Sequence, residues 1–245
     1  MRYPNIHKAI FLRRPNRFIA QVDIDGREET VHVKNTGRCR ELLVPGSTVY
    51  LVKSDNPSRK TAYDLVAVEK GERLVNMDSQ APNHILAEFL PKSGLFSDQA
   101  IIRPEYTHGD SRYDFFVQDE EKRHLIEVKG VTLEENGIAR FPDAPTERGV
   151  KHIQGLIRAL AEGYECWICF VVQMEGITAL YPNDQTHPAF GEVLRAAHRA
   201  GVHVLAFGCR VVPGEAEICY EIPVMLEQET ADGNSMSMQG VSKPF

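Results

Sequence analysis

The stretch SRYDFFVQDEEKRHLIEVK, residues 111–129, has the clearest structural pattern in the second half of this chain. Two apolar runs flank a polar turn at 119–122, which is typical of a β-hairpin. If the turn centres between Glu120 and Glu121, Asp114 lies directly opposite Glu127, with Cβ atoms about 5 Å apart. Because strand side chains alternate, Glu127 and Lys129 share one face of the strand and Val128 points to the other.

Two carboxylates this close repel each other unless a cation or a proton lies between them. A hard divalent cation such as Mg²⁺ or Mn²⁺ prefers oxygen ligands and keeps several waters. Lys129, on the same face as Glu127, could orient or deprotonate an attacking water, or stabilise the charge developing on a phosphate. The spacing Glu-x-Lys is also common on solvated strands, so a polar sheet face without a metal is the alternative.

Helical and strand patterns alternate around this hairpin. They predict helices at 84–90, 146–162 and 190–200, and strands at 100–106, 113–117, 125–128, 166–172 and 202–207. Asn83 is expected to cap the first helix. The region 193–212 could be mistaken for a helix-turn-helix, but the β-branched run after Gly201 favours a strand. The order of elements predicts an α/β domain with a mixed sheet.

The first 80 residues have a different character. Short alternating runs at 18–24, 29–34, 48–52, 63–68 and 74–77 are separated by turn residues. Five short strands in this space predict a small all-β barrel such as an OB-fold. We therefore divide the chain into an OB-fold at 1–80, an α/β domain at 81–226, and a polar tail at 227–245 that is expected to be disordered.

Composition excludes several classes of protein. The 245 residues are 42% hydrophobic and 25% charged, which indicates a globular chain. The longest apolar run, 166–172, is far shorter than the roughly 20 residues of a membrane span, and the N-terminus shows no signal-peptide pattern. Five scattered cysteines argue against a disulfide framework, and the Cys166-x-x-Cys169 pair favours buried packing. We expect a cytoplasmic protein.

Positive charge is concentrated at the start of the chain. Residues 1–60 carry 12 Lys and Arg against 6 Asp and Glu, whereas residues 61–245 carry 16 against 28. Such a basic segment indicates an anion-binding module. If the barrel is an OB-fold, the candidates for contact with a nucleic-acid backbone are Arg13, Arg14, Arg17, Arg38 and Arg40. Chance clustering of charge is the alternative.

Two further groups are candidates for DNA contacts. On the predicted helix 146–162, Arg148, Lys151 and His152 cluster opposite the apolar stripe, where they could lie along a phosphate backbone or form a solvated face. OB-folds also stack bases on aromatic rings. The candidates for stacking are Phe11, Phe18 and Tyr50, each of which could equally belong to the core.

The Glu127–Lys129 strand with Asp114 on its neighbour, after a helix bearing Glu88, resembles the PD-(D/E)XK nuclease core. Longer strings resemble the sugar fermentation stimulation protein family: NTG at 35–37, SRYDF at 111–115, IEVK at 126–129, FPDAPTERG at 141–149 and KH at 151–152. The similarity runs from about residue 6 to residue 224. It implies an OB-fold followed by a restriction-endonuclease-like domain, DNA binding, the bacterial cytoplasm and a link to regulation of sugar (maltose-type) metabolism.

The resemblance also implies roles for single residues. Asp114 and Glu127 take metal-ligand positions with the Val128 carbonyl as a third ligand, Lys129 takes the catalytic lysine position, and Glu88 takes that of an auxiliary acid. One departure is Gly155, where the family often has an acidic residue; Gln154 is the candidate substitute. The implied chemistry is Mg²⁺- or Mn²⁺-dependent hydrolysis of DNA with little sequence preference. The alternative is a non-enzymatic DNA-binding regulator with a relic nuclease fold. The strandedness of the DNA and the oligomeric state do not follow from the sequence.

Overall fold

The computed structural model describes residues 1–35, 37 and 39–227. The strands are β1 (Ile6–Asn16), β2 (Ile19–Ile24), β3 (Arg27–Val33), β4 (Thr48–Lys53), β5 (Tyr63–Lys70), β6 (Arg73–Asn76), β7 (Ile101–His108), β8 (Ser111–Asp119), β9 (Lys122–Val131), β10 (Glu134–Glu135), β11 (Ile138–Phe141), β12 (Tyr164–Val172), β13 (Ala179–Pro182), β14 (His203–Val212) and β15 (Glu215–Ile222). The helices are α1 (Ala81–Phe89), α2 (Glu147–Leu160) and α3 (Pro188–Ala200), and a short 3₁₀ turn covers Leu90–Lys92. Of the predicted tail 227–245, all but Glu227 lies outside the described residues.

The first five strands close into a barrel. β1 pairs antiparallel with both β2 and β4, β2 pairs with β3, β4 pairs with β5, and a parallel contact between β3 and β5 completes the ring. This is the connectivity of an OB-fold. Buried side chains such as Val22, Leu51 and Val68 fill the barrel. The predicted OB-fold is confirmed, and β6 adds one further strand beside β5.

Strand β1 is an element that the sequence pattern did not reveal. Its pairing with β2 is irregular between Phe11 and Arg13 and again between Arg13 and Asn16. Each irregularity shifts the alternation of inward and outward side chains, so the strand lacks a continuous period of two. Arg13 and Arg14 consequently lie within a strand, whereas the sequence placed them ahead of the first strand.

The second domain is built on a six-stranded sheet with the order β15-β14-β12-β9-β8-β7. Its three central strands, β9, β12 and β14, are parallel, and antiparallel strands flank them on both sides. Helices α2 and α3 pack against each other, and α2 packs on β12. Helix α1 covers the other face, where Ile85 and Phe89 join the same core cluster as Val128. The predicted α/β domain with a mixed sheet is confirmed.

Local signals in the sequence explain where the long helices begin and end. Thr146 caps α2 by accepting a hydrogen bond from the backbone N–H of Gly149 at 3.1 Å. Gly201 ends α3 with φ at 105°, and β14 follows, so the strand interpretation holds and a helix-turn-helix is excluded there. Cys166 and Cys169 are buried in the cores on opposite faces of β12, as expected. Among the described residues, no helix is both long and apolar enough to cross a membrane.

The two domains are joined by hydrogen bonds at the end of the barrel. The backbone N–H of Asn76 donates to the Gln173 carbonyl at 2.9 Å, and Gln173 Nε2 donates back to Asn76 Oδ1 at 2.9 Å. Lys70 and Arg73 of the barrel both bind the buried Glu134 of the α/β domain. The segment between β6 and α1 therefore brings the barrel against the carboxyl ends of the parallel strands.

Candidate active site

Asp114 and Glu127 lie where β8 and β9 separate from each other. The predicted hairpin register is confirmed as far as Phe115 opposite Ile126. At the next position, Asp114 Oδ2 accepts a hydrogen bond from the backbone N–H of Val128 at 2.7 Å. The side-chain carboxylate of Asp114 thus takes the place of a backbone carbonyl as the acceptor for Val128, at the point where β8 and β9 separate.

The other oxygen of Asp114 is bound by helix α1. Asn83 Nδ2 donates to Asp114 Oδ1 at 2.7 Å. Burial raises the pKa of Asp114, and the nearby charge of Glu127 raises it further, against the opposing hydrogen bonds from Val128 and Asn83. The Asp114 carboxylate is therefore less stable as an anion than an ordinary aspartate, and a nearby cation would stabilise it.

Glu127 is only 3% exposed, and its two oxygens have different surroundings. Oε1 lies 2.5 Å from Lys129 Nζ and 2.5 Å from His152 Nδ1. Burial raises the pKa of Glu127, but the hydrogen bonds and charges of His152 and Lys129 outweigh it and hold that pKa below its usual range. Oε2 is buried and has no hydrogen-bond partner among the described residues.

These contacts show which ring nitrogen of His152 donates to Glu127. An ionised glutamate only accepts hydrogen bonds, so Nδ1 of His152 carries a proton. Its other ring nitrogen, Nε2, lies 3.4 Å from Nε of Arg148, which can only donate. His152 is thus placed to hold Glu127 in position as a hydrogen-bond donor.

The donor set fits a hard divalent cation. Asp114, Glu127 and Val128 line a cavity of about 330 Å³. An unpartnered buried carboxylate oxygen costs desolvation energy that a cation would offset. The described part of the chain holds no cluster of three or more His, Cys, Asp or Glu suited to a metal. The two carboxylates would therefore act with a backbone oxygen and with waters, as Mg²⁺ commonly requires.

Two arginines give this cavity positive charge. Arg112 and Arg148 line it, and both are exposed. Arg112 also lies 3.8 Å from Glu105, a further lining residue. Arg148 was among the predicted DNA contacts, whereas Arg112 and Glu105 were not, although Arg112 lies two residues before Asp114 in the SRYDF string. Guanidinium groups at a cleft beside carboxylates can bind a phosphodiester.

Asn83 has a different role from the one expected. Helix α1 begins at Ala81, with a proline in its first turn, so Asn83 lies inside the helix instead of capping it. Its side chain is thereby directed to Asp114. No local signal distinguishes this role, because it depends on how α1 packs across the strands.

The structure does not bring Glu88 to the cavity. Glu88 lies more than one turn beyond Asn83 on α1, where its side chain is 61% exposed, and it accepts a hydrogen bond from the amino group of Met1 at 2.6 Å. Residues this far apart on a helix project in different directions. Of these two residues of α1, Asn83 is the one that contacts the candidate site.

The expected cationic face of α2 is divided in the structure. His152 is buried against Glu127, so it is a partner of a carboxylate and is not placed on a phosphate-binding surface. Lys151 is exposed and pairs with Asp110 at 3.0 Å. Arg148 alone of the three is both exposed and part of the cavity lining.

The surroundings of Gly155 explain why this chain departs from the family pattern at that position. A Cβ atom at this position would lie 2.3 Å from the hydroxyl oxygen of Tyr113, so the helix accepts no side chain there. Gln154 is exposed and does not line the cavity, so it does not substitute for an acidic residue. The trio Asp114, Glu127 and Lys129 is thus unaccompanied by an acidic residue at this position of α2.

The barrel arginines are used in different ways. Arg14 donates to the backbone carbonyls of Arg17 at 2.7 Å, Asn35 at 2.6 Å and Gly37 at 2.9 Å. Its guanidinium therefore holds the loop after β3 in place. These three contacts give Arg14 a structural role, and its contact with DNA stays a prediction.

The remaining basic candidates lie on the surface. Arg13 is exposed and pairs with Glu28 at 2.7 Å, and Arg40 is also exposed. The guanidinium of Arg17 lies 5.1 Å from the ring centre of Phe18. Arg38 lies outside the described residues. Arg13, Arg17 and Arg40 are thus accessible to a DNA backbone.

The three aromatic candidates for base stacking differ in their exposure to solvent. Phe11 is 1% exposed and belongs to the barrel core. Tyr50 is 9% exposed, and its hydroxyl donates a hydrogen bond to Glu69 at 2.7 Å. Phe18 is 46% exposed at the turn between β1 and β2. Of these three rings, only that of Phe18 offers a face to a ligand.

Comparison with known proteins gives consistent matches over most of the chain. The family model "Sugar fermentation stimulation protein RE domain" matches residues 80–215, and "SfsA N-terminal OB domain" matches residues 12–77. The sugar fermentation stimulation protein homolog of Ruminiclostridium cellulolyticum is 53% identical over 92% of this chain and 100% of its own length, and that of Clostridium beijerinckii is 50% identical with the same coverage. The structure of Pyrococcus furiosus SfsA in complex with Ca²⁺ is 29% identical, with a TM-score of 0.82, and the match covers 92% of this chain and 98% of that one.

Proposed function

The chain belongs to the sugar fermentation stimulation protein family, and from this premise and the carboxylate geometry we propose a DNA-binding protein with a Mg²⁺- or Mn²⁺-dependent phosphodiesterase site. The observation that carries the proposal is the meeting of Asp114 and Glu127 beside Lys129, with a buried, unpartnered oxygen on Glu127. The Pyrococcus furiosus relative in complex with Ca²⁺ supports it, because Ca²⁺ is also a hard cation that prefers oxygen ligands.

Each residue of the site has a chemical role in this proposal. Asp114, Glu127 and the Val128 carbonyl would hold the cation, which when bound polarises a phosphate oxygen and lowers the pKa of a water. Lys129 would orient the attacking water or stabilise the charge on the phosphate. Asn83 and His152 would keep the two carboxylates in position through their hydrogen bonds.

The DNA is expected to be bound with little sequence preference. The charged groups at the cavity mouth, Arg112 and Arg148, are suited to phosphates, and phosphate contacts carry no direct sequence information. The basic barrel would add further backbone contacts. We place this activity in the cytoplasm and, following the family name, connect it with regulation of sugar (maltose-type) metabolism.

A non-enzymatic DNA-binding regulator is the second candidate. The ion pair between Lys129 and Glu127 favours it, because Lys129 already counters part of the negative charge that would attract a metal ion. In that case the carboxylates would keep the shape of the cleft without cutting DNA. The two candidates differ in whether Mn²⁺ binds and supports cleavage.

Titration with Mn²⁺ and a DNA mobility shift on the same variants test the proposal. Replacing Asp114→Asn removes one of two ligand charges, so it should abolish Mn²⁺ binding and cleavage while preserving or tightening DNA binding. Replacing Lys129→Ala should retain Mn²⁺, weaken DNA binding modestly and abolish cleavage.

The exposed Asp98 provides a matched control outside the cavity. Asp98→Asn makes the same chemical change and should behave as wild type in all three measurements. The phosphodiesterase function is contradicted if wild-type protein takes up no Mn²⁺ even with DNA present and Asp114→Asn matches it throughout. The non-enzymatic DNA-binding regulator would then be the remaining candidate function.

A further inference from the structure

Phe18 is held as an exposed platform on the barrel. Asn16 Oδ1 accepts hydrogen bonds from the backbone N–H of Phe18 at 2.9 Å and of Ile19 at 3.1 Å, which fixes the turn. The guanidinium of Arg17 lies over one face of the ring, 5.1 Å from its centre. A single exposed aromatic ring carries no function by itself, so the surroundings of Phe18 decide what it can do.

Phe18 forms one wall of a cavity of about 460 Å³ on the barrel. Arg59 and His32 line the same cavity, and both bind Asp64: Arg59 Nη1 lies 2.8 Å from Oδ2, and His32 Nδ1 lies 2.9 Å from Oδ1. The negative charge of Asp64 is therefore countered within the cavity. Lys34 also lines the cavity and pairs with the buried Asp78 at 2.7 Å, so a phosphate meets no uncompensated carboxylate there.

This barrel cavity adjoins the carboxylate site at Ser79. Ser79 lines the barrel cavity, the cavity of Asp114 and Glu127, and a third cavity of about 390 Å³ between the domains. Two hydrogen bonds to the Lys34 carbonyl, from the backbone N–H at 2.9 Å and from Oγ at 2.8 Å, fix its position. Ser79 is thus a lining residue that all three cavities share, and two hydrogen bonds hold it.

The chemistry of this path fits an unpaired strand. OB-folds bind oligonucleotides with the face of β2 and β3 and with the loops between β1 and β2 and between β4 and β5. Phe18 belongs to the first of these loops and Arg59 to the second. An exposed ring can stack only on a base whose face is free, which duplex DNA does not offer within its stack.

We propose that the barrel binds single-stranded DNA, stacks a base on Phe18 and directs the strand past Ser79 to Asp114 and Glu127. This rests on the proposed function for its destination and specifies the substrate class, an unpaired strand or the unpaired end of a duplex. Stacking uses the face of a base and ignores its edge. The binding is therefore tolerant of sequence.

Binding in EDTA, where no cleavage occurs, tests the stacking directly. The ligands are a labelled dT oligonucleotide of about 16 nucleotides, its abasic counterpart and a blunt duplex of equal length. Phe18→Ala should weaken binding of the dT strand about tenfold and leave the duplex unchanged. Phe18→Trp should retain affinity, and its fluorescence should be quenched by the dT strand.

The abasic strand shows whether Phe18 acts through a base. Removing the bases should weaken binding of the strand to wild-type protein about as much as Phe18→Ala weakens binding of the intact dT strand. The two losses should not add when they are combined. Ile101→Ala, which truncates an apolar side chain that is 52% exposed on β7, is the control and should bind as wild type. Equal affinity of wild type and Phe18→Ala for the dT strand, or additive losses, would overturn the proposal.

A cleavage assay with Mn²⁺ separates this proposal from the phosphodiesterase function. If Phe18→Ala does not change the rate at which single strands are cleaved at DNA concentrations below saturation, the proposed path of the strand past Ser79 is overturned. The phosphodiesterase function would then be unaffected. Binding that depends on Phe18, without any cleavage, would support the binding site and contradict the phosphodiesterase function.

Discussion

Gly155 illustrates how one residue without a side chain shapes the candidate site. It lies against the hydroxyl of Tyr113, which a Cβ atom would approach to 2.3 Å. The ring of Tyr113 in turn meets His152 edge-on, with centroids 6.2 Å apart, and His152 binds Glu127. A side chain at Gly155 would therefore displace Tyr113, which contacts His152, and His152 binds Glu127, a candidate metal ligand.

Replacing Gly155→Ala should lower the free energy of unfolding by about 1–3 kcal/mol, because the new methyl group overpacks the contact with Tyr113. This loss should occur although alanine favours a helix over glycine by about 1 kcal/mol. Urea denaturation of the purified variant measures the change. Gln154→Ala, at the exposed neighbouring position, should be close to neutral. A Gly155→Ala protein more stable than wild type would contradict the packing described here.

At the scale of elements, β10 connects the α/β domain to the barrel through Glu134. This carboxylate is 2% exposed, lies 2.8 Å from Lys70 Nζ and 3.2 Å from Arg73 Nη1, and accepts from the backbone N–H of Gly137 at 2.6 Å. Burial raises the pKa of Glu134, but the hydrogen bonds from Lys70 and Gly137 and the charges of Lys70 and Arg73 outweigh it and lower that pKa. The barrel strands β5 and β6 are thereby tied to the second domain.

The lowered pKa of Glu134 predicts a specific dependence of stability on pH. Because the folded pKa lies below the ordinary glutamate value of about 4.3, ionised Glu134 stabilises the folded state above that pH, and this is lost as the pH falls through the folded pKa. Glu134→Gln should cost on the order of 2 kcal/mol at pH 7. The difference from wild type should shrink in acid. Urea denaturation across this pH range measures it, with the exposed Glu135→Gln as a control that should show no such difference.

Across the whole molecule, the basic excess lies on the barrel and the acidic excess on the rest of the chain. The structure divides the barrel arginines into one that holds a loop, Arg14, and others on the surface such as Arg13 and Arg40. Net charge of a segment therefore overstates how many cations can meet DNA. The salt dependence of binding reports the number that do.

Replacing Arg38→Ala together with Arg40→Ala should weaken binding of all DNA sequences and flatten the slope of log K against log salt by roughly 1 to 2 units, if each contacts a phosphate. Filter binding or fluorescence anisotropy at several salt concentrations measures the slope. Arg2→Ala, at a side chain that is 84% exposed and near Glu215, is the control and should leave the slope unchanged. An unchanged slope in the double variant would remove both arginines from the interface.

Local patterns in the sequence were sufficient for the hairpin, the barrel type and the mixed sheet. The register of β8 and β9 depends on the turn and on alternation, and both are properties of neighbouring residues. The cap at Thr146 and the end of α3 at Gly201 are local in the same sense. Strand β1 was missed because its irregular pairing interrupts the alternation on which the prediction depends.

The side chains that complete the site were set by packing between elements, which the sequence pattern does not contain. A helical period says which residues share a face, but it does not say what that face meets. Asn83 reaches Asp114, His152 reaches Glu127, and Glu88 reaches neither, because the packing of α1 and α2 on the sheet sets those contacts. Contacts between residues distant in the chain depend on how whole elements pack, and no period along a single element encodes that.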